Sequence, residues 1–267
     1  MPGFRISMAL TLFWLSAIVI FPLIALVVRP WELGLTGVFK ALADERVLLA
    51  LKLSFGASAL AALINAPLGL LVAWVLVRYR FPGQRFLDAC VDMPFALPTA
   101  VAGIALSAIY APNGPLGSVF ADMGIKTAYS PTGVFIALLF IGLPFVVRSV
   151  QPVLQDLDVD VEEAASTLGA TDFQRVTQVV LPAIYPALLT GVGLAFARAV
   201  GEYGSVIFIA GNMPYVSEIA PLLIVIKLEQ YDYAGAAAVG LAMLVISFGA
   251  LLLINALQAV LSRKGKA

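Results

Sequence analysis

Six long apolar stretches dominate this 267-residue chain. Each is long enough to cross a hydrocarbon core of roughly 30 Å, which takes about 20 helical residues. Because a segment in lipid must satisfy its own backbone hydrogen bonds, such stretches fold as helices. They lie near residues 8–28, 49–77, 88–110, 132–152, 183–209 and 236–260. The sequence therefore predicts an all-α membrane protein that forms one transmembrane domain over residues 1–267.

The composition agrees with a membrane protein and excludes several kinds of site. Only 12% of the residues are charged, against about 25% in soluble domains. Sixteen Lys and Arg balance sixteen Asp and Glu, histidine is absent, and Cys90 is the only cysteine. The charge balance suggests no nucleic-acid partner. The missing residue types exclude a Ser-His-Asp triad, a His/Cys metal cluster and an intrachain disulfide. We expect this chain to bind no metal and no cofactor.

We expect the lipid bilayer to be a partner of this chain along most of its length. Basic clusters predict how the chain is oriented in it. Two clusters flank predicted spans, namely Arg78, Arg80 and Arg85, and Arg263, Lys264 and Lys266. Because Lys and Arg are enriched in cytoplasmic loops, we expect both termini and residues 153–182 to be cytoplasmic. The chain would be a multi-pass protein of the inner or plasma membrane. Residues 217–230 predict a further short amphipathic helix on the external side.

A polar island at residues 153–182 interrupts the apolar spans. Read as a helix, part of it has an apolar face made of Val161, Ala164, Ala165 and Leu168. Glu162 falls on the other side of that helix. Gly169 can end the helix with a positive φ, and Thr171 and Gln174 have the spacing of a capping box. We therefore expect two short helices joined by a sharp turn.

The same island resembles the cytoplasmic EAA loop of ABC importer permeases, E-A-A-x3-G-x9-[I/V]-x-L-P. The matching residues are Glu163, Ala164, Ala165, Gly169, Val179, Leu181 and Pro182. The resemblance implies a type I importer-like permease with six spans, in which residues 153–182, the EAA loop, dock as a coupling helix on a separate ATPase subunit. A capped surface helix with an ordinary Ala-rich face is the alternative. The sequence lacks a G-x4-G-K-[ST] loop, so ATP would be hydrolysed by the partner and this chain would not be an enzyme.

Other segments resemble the sulfate/thiosulfate permeases and, less completely, the molybdate permeases. They are residues 78–83, 92–103, 144–148, 201–204, 207–212 and 228–233. Leu97-Pro98-Thr99-Ala100 favours the T-type subunit over its W-type partner, whereas Tyr203 stands where the motif usually has Phe. The resemblance implies an importer of sulfate or thiosulfate. It also implies two ATPase subunits, a second permease subunit of the W type and an external sulfate-binding protein.

Three other functions stay open at this point. A molybdate or tungstate permease would keep the mechanism and change the cargo, since both anions are tetrahedral dianions like sulfate. A stand-alone channel or secondary transporter would have no use for an EAA loop. An intramembrane enzyme would need paired acids at mid-membrane depth in separate spans, and the predicted spans supply no such pair.

Opposite charges also lie inside the predicted spans. Arg198 and Glu202 are one helical turn apart in the fifth span, where a charge costs roughly 2.5–3.5 kcal/mol on insertion scales. Arg198 either helps a dianion to cross, with Glu202 limiting how tightly it is held, or forms a structural ion pair with Glu202. Asp88 and Asp92, at the cytoplasmic end of the third span, are interpreted as interfacial or helix N-terminal charges.

Overall fold

The computed structural model describes residues 3–264, and every regular element in that range is a helix. The predicted all-α class is confirmed. Five helical segments are long and apolar enough to cross a membrane: Phe4–Leu42, Glu45–Arg78, Pro131–Asp156, Asp172–Val200 and Tyr233–Ala256. Lys266, one of the basic residues from which the orientation was predicted, lies outside the described residues.

The first segment lies on the outside of the bundle. It comprises α1 (Phe4–Leu15), a π-helical turn (Ser16–Ile20), α2 (Phe21–Val28), a 3-10 turn (Arg29–Leu33) and α3 (Gly34–Leu42). Most of its apolar side chains are exposed, whereas Pro30 is buried and Leu26, Val38 and Leu42 are half-buried. The guanidinium of Arg29 lies 5.3 Å from the ring centroid of Tyr233, so a cation–π contact ties this segment to the last helix.

The predicted third span is divided among three short helices, α5 (Gln84–Val91), α6 (Met93–Ala96) and α7 (Thr99–Tyr110). They follow α4 (Glu45–Arg78), and Leu97 between α6 and α7 is extended, with φ −82° and ψ 135°. The following Pro98 disfavours helical ψ at Leu97 and has no N–H to donate. The apolar run is therefore continuous in sequence but broken in structure.

Three long helices form the centre of the bundle. They are α4, α9 (Pro131–Asp156) and, further on, α12 (Leu181–Val200), and they pack directly against one another. Small residues permit the close approach, since a Cβ added at Gly142 would lie 2.6 Å from the Nδ2 atom of Asn65. That buried amide donates a hydrogen bond of 3.0 Å to the carbonyl of Leu139.

The remaining elements connect these spans. A short α8 (Gly117–Asp122) precedes α9. After α9 come α10 (Val159–Thr167), α11 (Asp172–Gln174) and a π-helical turn (Arg175–Val180) that leads into α12. The predicted fifth span, 183–209, ends as a continuous helix at Val200, and α13 (Val206–Ile209) follows a break.

A further helix packs near the N-terminal end of α4. The helix predicted over 217–230 is present as α14 (Ala220–Glu229), and α15 (Tyr233–Lys264) follows it. The backbone N–H of Ala220 donates a hydrogen bond of 2.8 Å to the buried hydroxyl of Ser54 on α4. Asp232 accepts hydrogen bonds from the Lys227 ammonium and the Gly235 backbone N–H, 2.9 Å each. The Lys227 ammonium and the Gly235 N–H lower the pKa of the Asp232 carboxyl, the ammonium most of all.

Candidate functional site

The EAA loop turns at Gly169, as the sequence predicts. The φ angle of Gly169 is +86°. The N–H of Ala170 donates to the carbonyl of Ala165, and the N–H of Gly169 donates to that of Ser166, both at 3.0 Å. This pair of bonds is a Schellman motif, which satisfies carbonyls at the end of α10 that would otherwise lack partners.

The second helix of the loop begins at its predicted cap but is not short. Thr171 and Gln174 form the capping box, with the Thr171 hydroxyl accepting from the Gln174 backbone and the Gln174 side chain accepting from the Thr171 backbone. The helix then continues through the π-helical turn into the span that ends at Val200. The prediction of two short helices is wrong here, because the apolar run after Pro182 supplies a membrane span on which the helix can extend. Leu181 and Pro182 lie at this junction.

The apolar face of α10 is turned outward. Leu168 is 88% exposed and Phe173, just beyond the turn, is 77% exposed. Val161 and Ala164 are also exposed, as are the motif residues Glu163 and Gly169. An amphipathic helix usually buries its apolar face, so this arrangement leaves the face available to another molecule.

Glu162 points the other way, into the protein. Its side chain is only 13% exposed, and its carboxylate pairs with Arg78 at the end of α4 and with Arg175, where Nε lies 3.7 Å from Oε2. The helical pattern placed Glu162 opposite the apolar face, but nothing in the sequence indicated that Glu162 would be half-buried while Glu163, Ser166 and Thr167 stay exposed.

Arg198 and Glu202 are brought together as predicted. Nη1 of Arg198 lies 2.6 Å from Oε2 of Glu202. The other carboxylate oxygen accepts hydrogen bonds from the backbone N–H of Ser205 at 2.8 Å and from its hydroxyl at 2.9 Å. The Glu202 side chain is 2% exposed, whereas 36% of the Arg198 side chain is exposed. The carboxylate is thus fully engaged by the protein, while the guanidinium keeps an open side.

The backbone around Glu202 is held by the broken third span. A Cβ added at Gly103 would lie 2.3 Å from the carbonyl oxygen of Ser205. The hydroxyl of Ser107 donates a hydrogen bond of 2.8 Å to the carbonyl of Phe208. α7 therefore packs against the break between α12 and α13, where a closely approaching backbone requires glycine.

This charged pair and the EAA loop lie at opposite ends of one helix. Pro182 and Arg198 both belong to α12. At 1.5 Å per residue they are about 24 Å apart along the helix axis. The two sets of predicted site residues are thus separate sites connected by a single rigid element.

A third charged cluster was not predicted from the sequence. Arg148 on α9 makes two hydrogen bonds to Asp92, 2.8 Å from Nε and 2.6 Å from Nη2, and contacts Asp88 at 2.6 Å from Nη1. Asp88 lies within α5 rather than at its N-terminus, so its interpretation as a helix N-terminal charge is wrong, whereas Asp92 follows α5 and is the N-cap residue of α6, as that interpretation predicts. Their partner is 56 to 60 residues away in the chain, beyond the reach of a local pattern. Within residues 3–264, no cluster of His, Cys, Asp and Glu is placed to hold a metal ion.

Comparison with known proteins identifies relatives over nearly the whole chain. Residues 65–266 match the family described as the inner membrane component of binding-protein-dependent transport systems. The sulfate transport system permease protein CysT of Synechocystis sp. is 47% identical over 95% of this chain and 88% of that protein. The protein of the same name from Escherichia coli K12 is 42% identical over 99% of this chain and 95% of its own length.

Solved structures share the fold at low sequence identity. A subunit of a bacterial ABC transporter involved in the import of alginate superposes with a TM-score of 0.78 at 18% identity, covering 96% of both chains. A chain of the MetNI methionine ABC transporter, in inward-facing conformations, gives a TM-score of 0.57 at 21% identity. It covers 82% of this chain and 95% of its own length.

Proposed function

This chain belongs to the family of inner membrane components of binding-protein-dependent transport systems, and from that premise we propose that it is the T-type permease subunit of an ATP-driven sulfate or thiosulfate importer. The cargo follows from relatives at 42–48% identity that are named sulfate transport permeases. One observation supports the ATP-driven mechanism most directly, which is the outward-facing apolar surface of the EAA loop.

The EAA loop is the docking surface for an ATPase subunit. Leu168 and Phe173 are large apolar side chains, 88% and 77% exposed, on either side of the turn at Gly169. Covering apolar surface stabilises a complex by about 25 cal/mol per Å². Ala164 and Ala165 allow close approach to the backbone, and Glu163 offers a charge to a basic partner. A long rigid helix, continuous from Asp172 to Val200, then carries movement of the loop into the membrane.

Arg198 is the residue of this chain that contacts the anion during transport. A guanidinium donates through a planar fork that suits the oxygens of an oxyanion, and its side chain has an open side. Glu202 remains paired with Arg198 and with Ser205, which lowers the net attraction for a dianion and so favours release. Transport requires that ATP and cargo each bind the inward- and outward-facing states with different affinities.

The transporter as a whole contains further subunits. We infer two ATPase subunits that bind and hydrolyse ATP, a second permease subunit of the W type, and an external sulfate-binding protein. The chain lies in the inner membrane with both termini and the EAA loop in the cytoplasm. A maleimide that cannot cross the membrane should label Asp160→Cys, in a Cys90→Ala background, only after cells are opened. Labelling in intact cells would contradict this orientation.

Reconstitution tests the proposed function. The chain is co-expressed with the neighbouring genes, purified through a tag and placed in vesicles with the binding protein outside. We expect a P-loop ATPase to co-purify, and uptake of radiolabelled sulfate to need ATP and to be inhibited by thiosulfate. Uptake without ATP would indicate a channel or secondary transporter. Uptake of molybdate in preference to sulfate would identify the other oxyanion class.

A further inference from the structure

We propose that Glu162 is a positioning residue that ties the coupling helix α10 to two membrane-spanning helices at once, so that a movement of the EAA loop reaches both spans together. Its two partners are Arg78, at the last residue of α4, and Arg175, in the helical segment that continues into α12. The three residues are called the Glu162 latch below. This role for Glu162 rests on the function proposed above, in which the EAA loop couples the chain to an ATPase.

Burial distinguishes Glu162 from its two neighbours in the helix. Its side chain is 13% exposed, in a helix where Val161 on one side is 51% exposed and Glu163 on the other is exposed. One carboxylate oxygen pairs with Nη2 of Arg78, and the other lies 3.7 Å from Nε of Arg175. Opposite charges that are partly shielded from water attract more strongly than a fully exposed pair.

Each arginine also contacts its own segment, Arg78 through Trp74 and Arg175 through Asp172, and Arg175 makes a second contact to α10 through Ser166. The Arg78 guanidinium lies 5.5 Å from the ring centroid of Trp74, one turn earlier on α4. Arg175 contacts the carboxylate of Asp172 at 3.1 Å and donates to the hydroxyl of Ser166 at 3.2 Å. Because the arginine side chains are held at these points, α10 cannot move away without either breaking the pairs or moving α4 and the segment that precedes α12.

Apart from the latch, α10 is held by the hydrogen bond from Arg175 to Ser166 and by packing against the π-helical turn. The apolar face of α10 is exposed, so that face lacks the packing that usually positions an amphipathic helix. Arg78 and Glu162 are 84 residues apart in the chain, and their pairing links the second long span directly to the coupling helix. The geometry thus gives the loop two routes into the membrane, the covalent one through α12 and an ionic one through α4.

Hydrogen exchange on the assembled transporter tests the latch. Glu162→Gln keeps the size of the side chain and removes its charge. We expect amides of residues 159–167 to exchange about three- to tenfold faster than in the wild type, since a partly buried ion pair is lost. We also expect more ATP to be hydrolysed per sulfate transported. The matched control is Asp160→Asn, which removes one negative charge from an exposed position of the same helix and should leave exchange and stoichiometry unchanged.

A double-mutant cycle separates the latch from general damage to the fold. Arg175→Gln alone should also accelerate exchange, and in the double variant with Glu162→Gln the two effects should be less than additive. Wild-type exchange in Glu162→Gln would overturn the latch, and so would faster exchange with an unchanged ratio of ATP to sulfate. A wild-type complex that neither binds an ATPase nor transports sulfate would contradict the proposed function. Even then, the hydrogen-exchange rates of Glu162→Gln would show whether Glu162 holds α10 in place.

Discussion

Arg46 and Glu218 are joined by two hydrogen bonds of 2.7 Å each, although 172 residues separate them in the chain. The Glu218 side chain is 2% exposed, and the Arg46 side chain is 30% exposed. The pair fastens the segment before α14 to the first turn of α4. Arg46 is therefore a structural partner of Glu218.

Removing Arg46 should destabilise the end of the bundle at which α4 begins. Arg46→Met leaves a buried carboxylate without its counter-charge, and we expect a loss of about 1–3 kcal/mol, below the value for a fully buried pair because water screens the arginine. Thermal unfolding in detergent measures the loss. The double variant with Glu218→Gln should recover most of it, and Lys52→Met, an exposed cation on the same helix, should change little. An Arg46→Met protein as stable as the wild type would show that the pair contributes nothing.

The turn at Gly169 should tolerate asparagine but not valine. A β-branched residue at φ +86° is strained by about 1–3 kcal/mol, whereas asparagine visits the left-handed region readily. We expect Gly169→Val to insert into the membrane, to bind the ATPase weakly and to abolish uptake, and we expect Gly169→Asn to retain most of both. Pull-down of the ATPase and sulfate uptake measure the effects. Normal uptake by the valine variant would mean that the bend has no role in coupling.

The two roles considered for Arg198, a structural ion pair with Glu202 and contact with the transported anion, lead to opposite predictions for the same variant. If the pair is only structural, Arg198→Met with Glu202→Gln should fold and transport, because both charges and their desolvation costs disappear together, and the Gln oxygen can still accept from Ser205. If Arg198 meets the anion, the same variant should assemble and hydrolyse ATP but move sulfate poorly. We expect the second result, with a still lower rate for Arg198→Glu. Uptake at the wild-type rate in the assembled double variant would exclude the anion role.

The turn at Asp232, between α14 and α15, should make stability depend on pH in a defined direction. Lys227 and the N–H of Gly235 lower the pKa of the Asp232 carboxyl in the folded protein. The ionised carboxylate therefore stabilises the fold, and this contribution is complete above the unfolded pKa of about 3.9. The contribution is lost as the pH falls through the lower, folded pKa. Asp232→Asn should therefore unfold at a lower temperature than the wild type at pH 7, by an amount worth about 0.2–1 kcal/mol. The difference should vanish at strongly acidic pH, and Lys227→Met should show the same pattern in weaker form. A gap that stays constant with pH would assign the effect to packing.

Much of the candidate site could be derived from local patterns. The positive φ of Gly169 and the capping box from Thr171 to Gln174 depend on residues within one or two turns, and both are present. The Arg198–Glu202 contact was also expected from the four-residue spacing of a helix face, and it is present although Glu202 lies just beyond the end of α12 at Val200. Pro98 was a local signal for the break in the helix before Thr99. Hydropathy alone misses it, because a hydropathy window averages over a proline and so indicates one continuous span.

The sequence by itself determined that this chain is a membrane-embedded helical protein, because apolar segments of that length have no stable alternative to helices in lipid. It also determined the family, through the spacing of the EAA loop. Only the tertiary structure decided that Glu162 is the acid of α10 that turns into the protein, because helical periodicity separates two faces without saying which residue contacts the rest of the chain. Long-range pairs such as Glu162 with Arg78 and Arg148 with Asp88 and Asp92 were likewise decided by packing. Each charge finds its partner only when α4, α5, α9 and α10 are brought to the same end of the bundle.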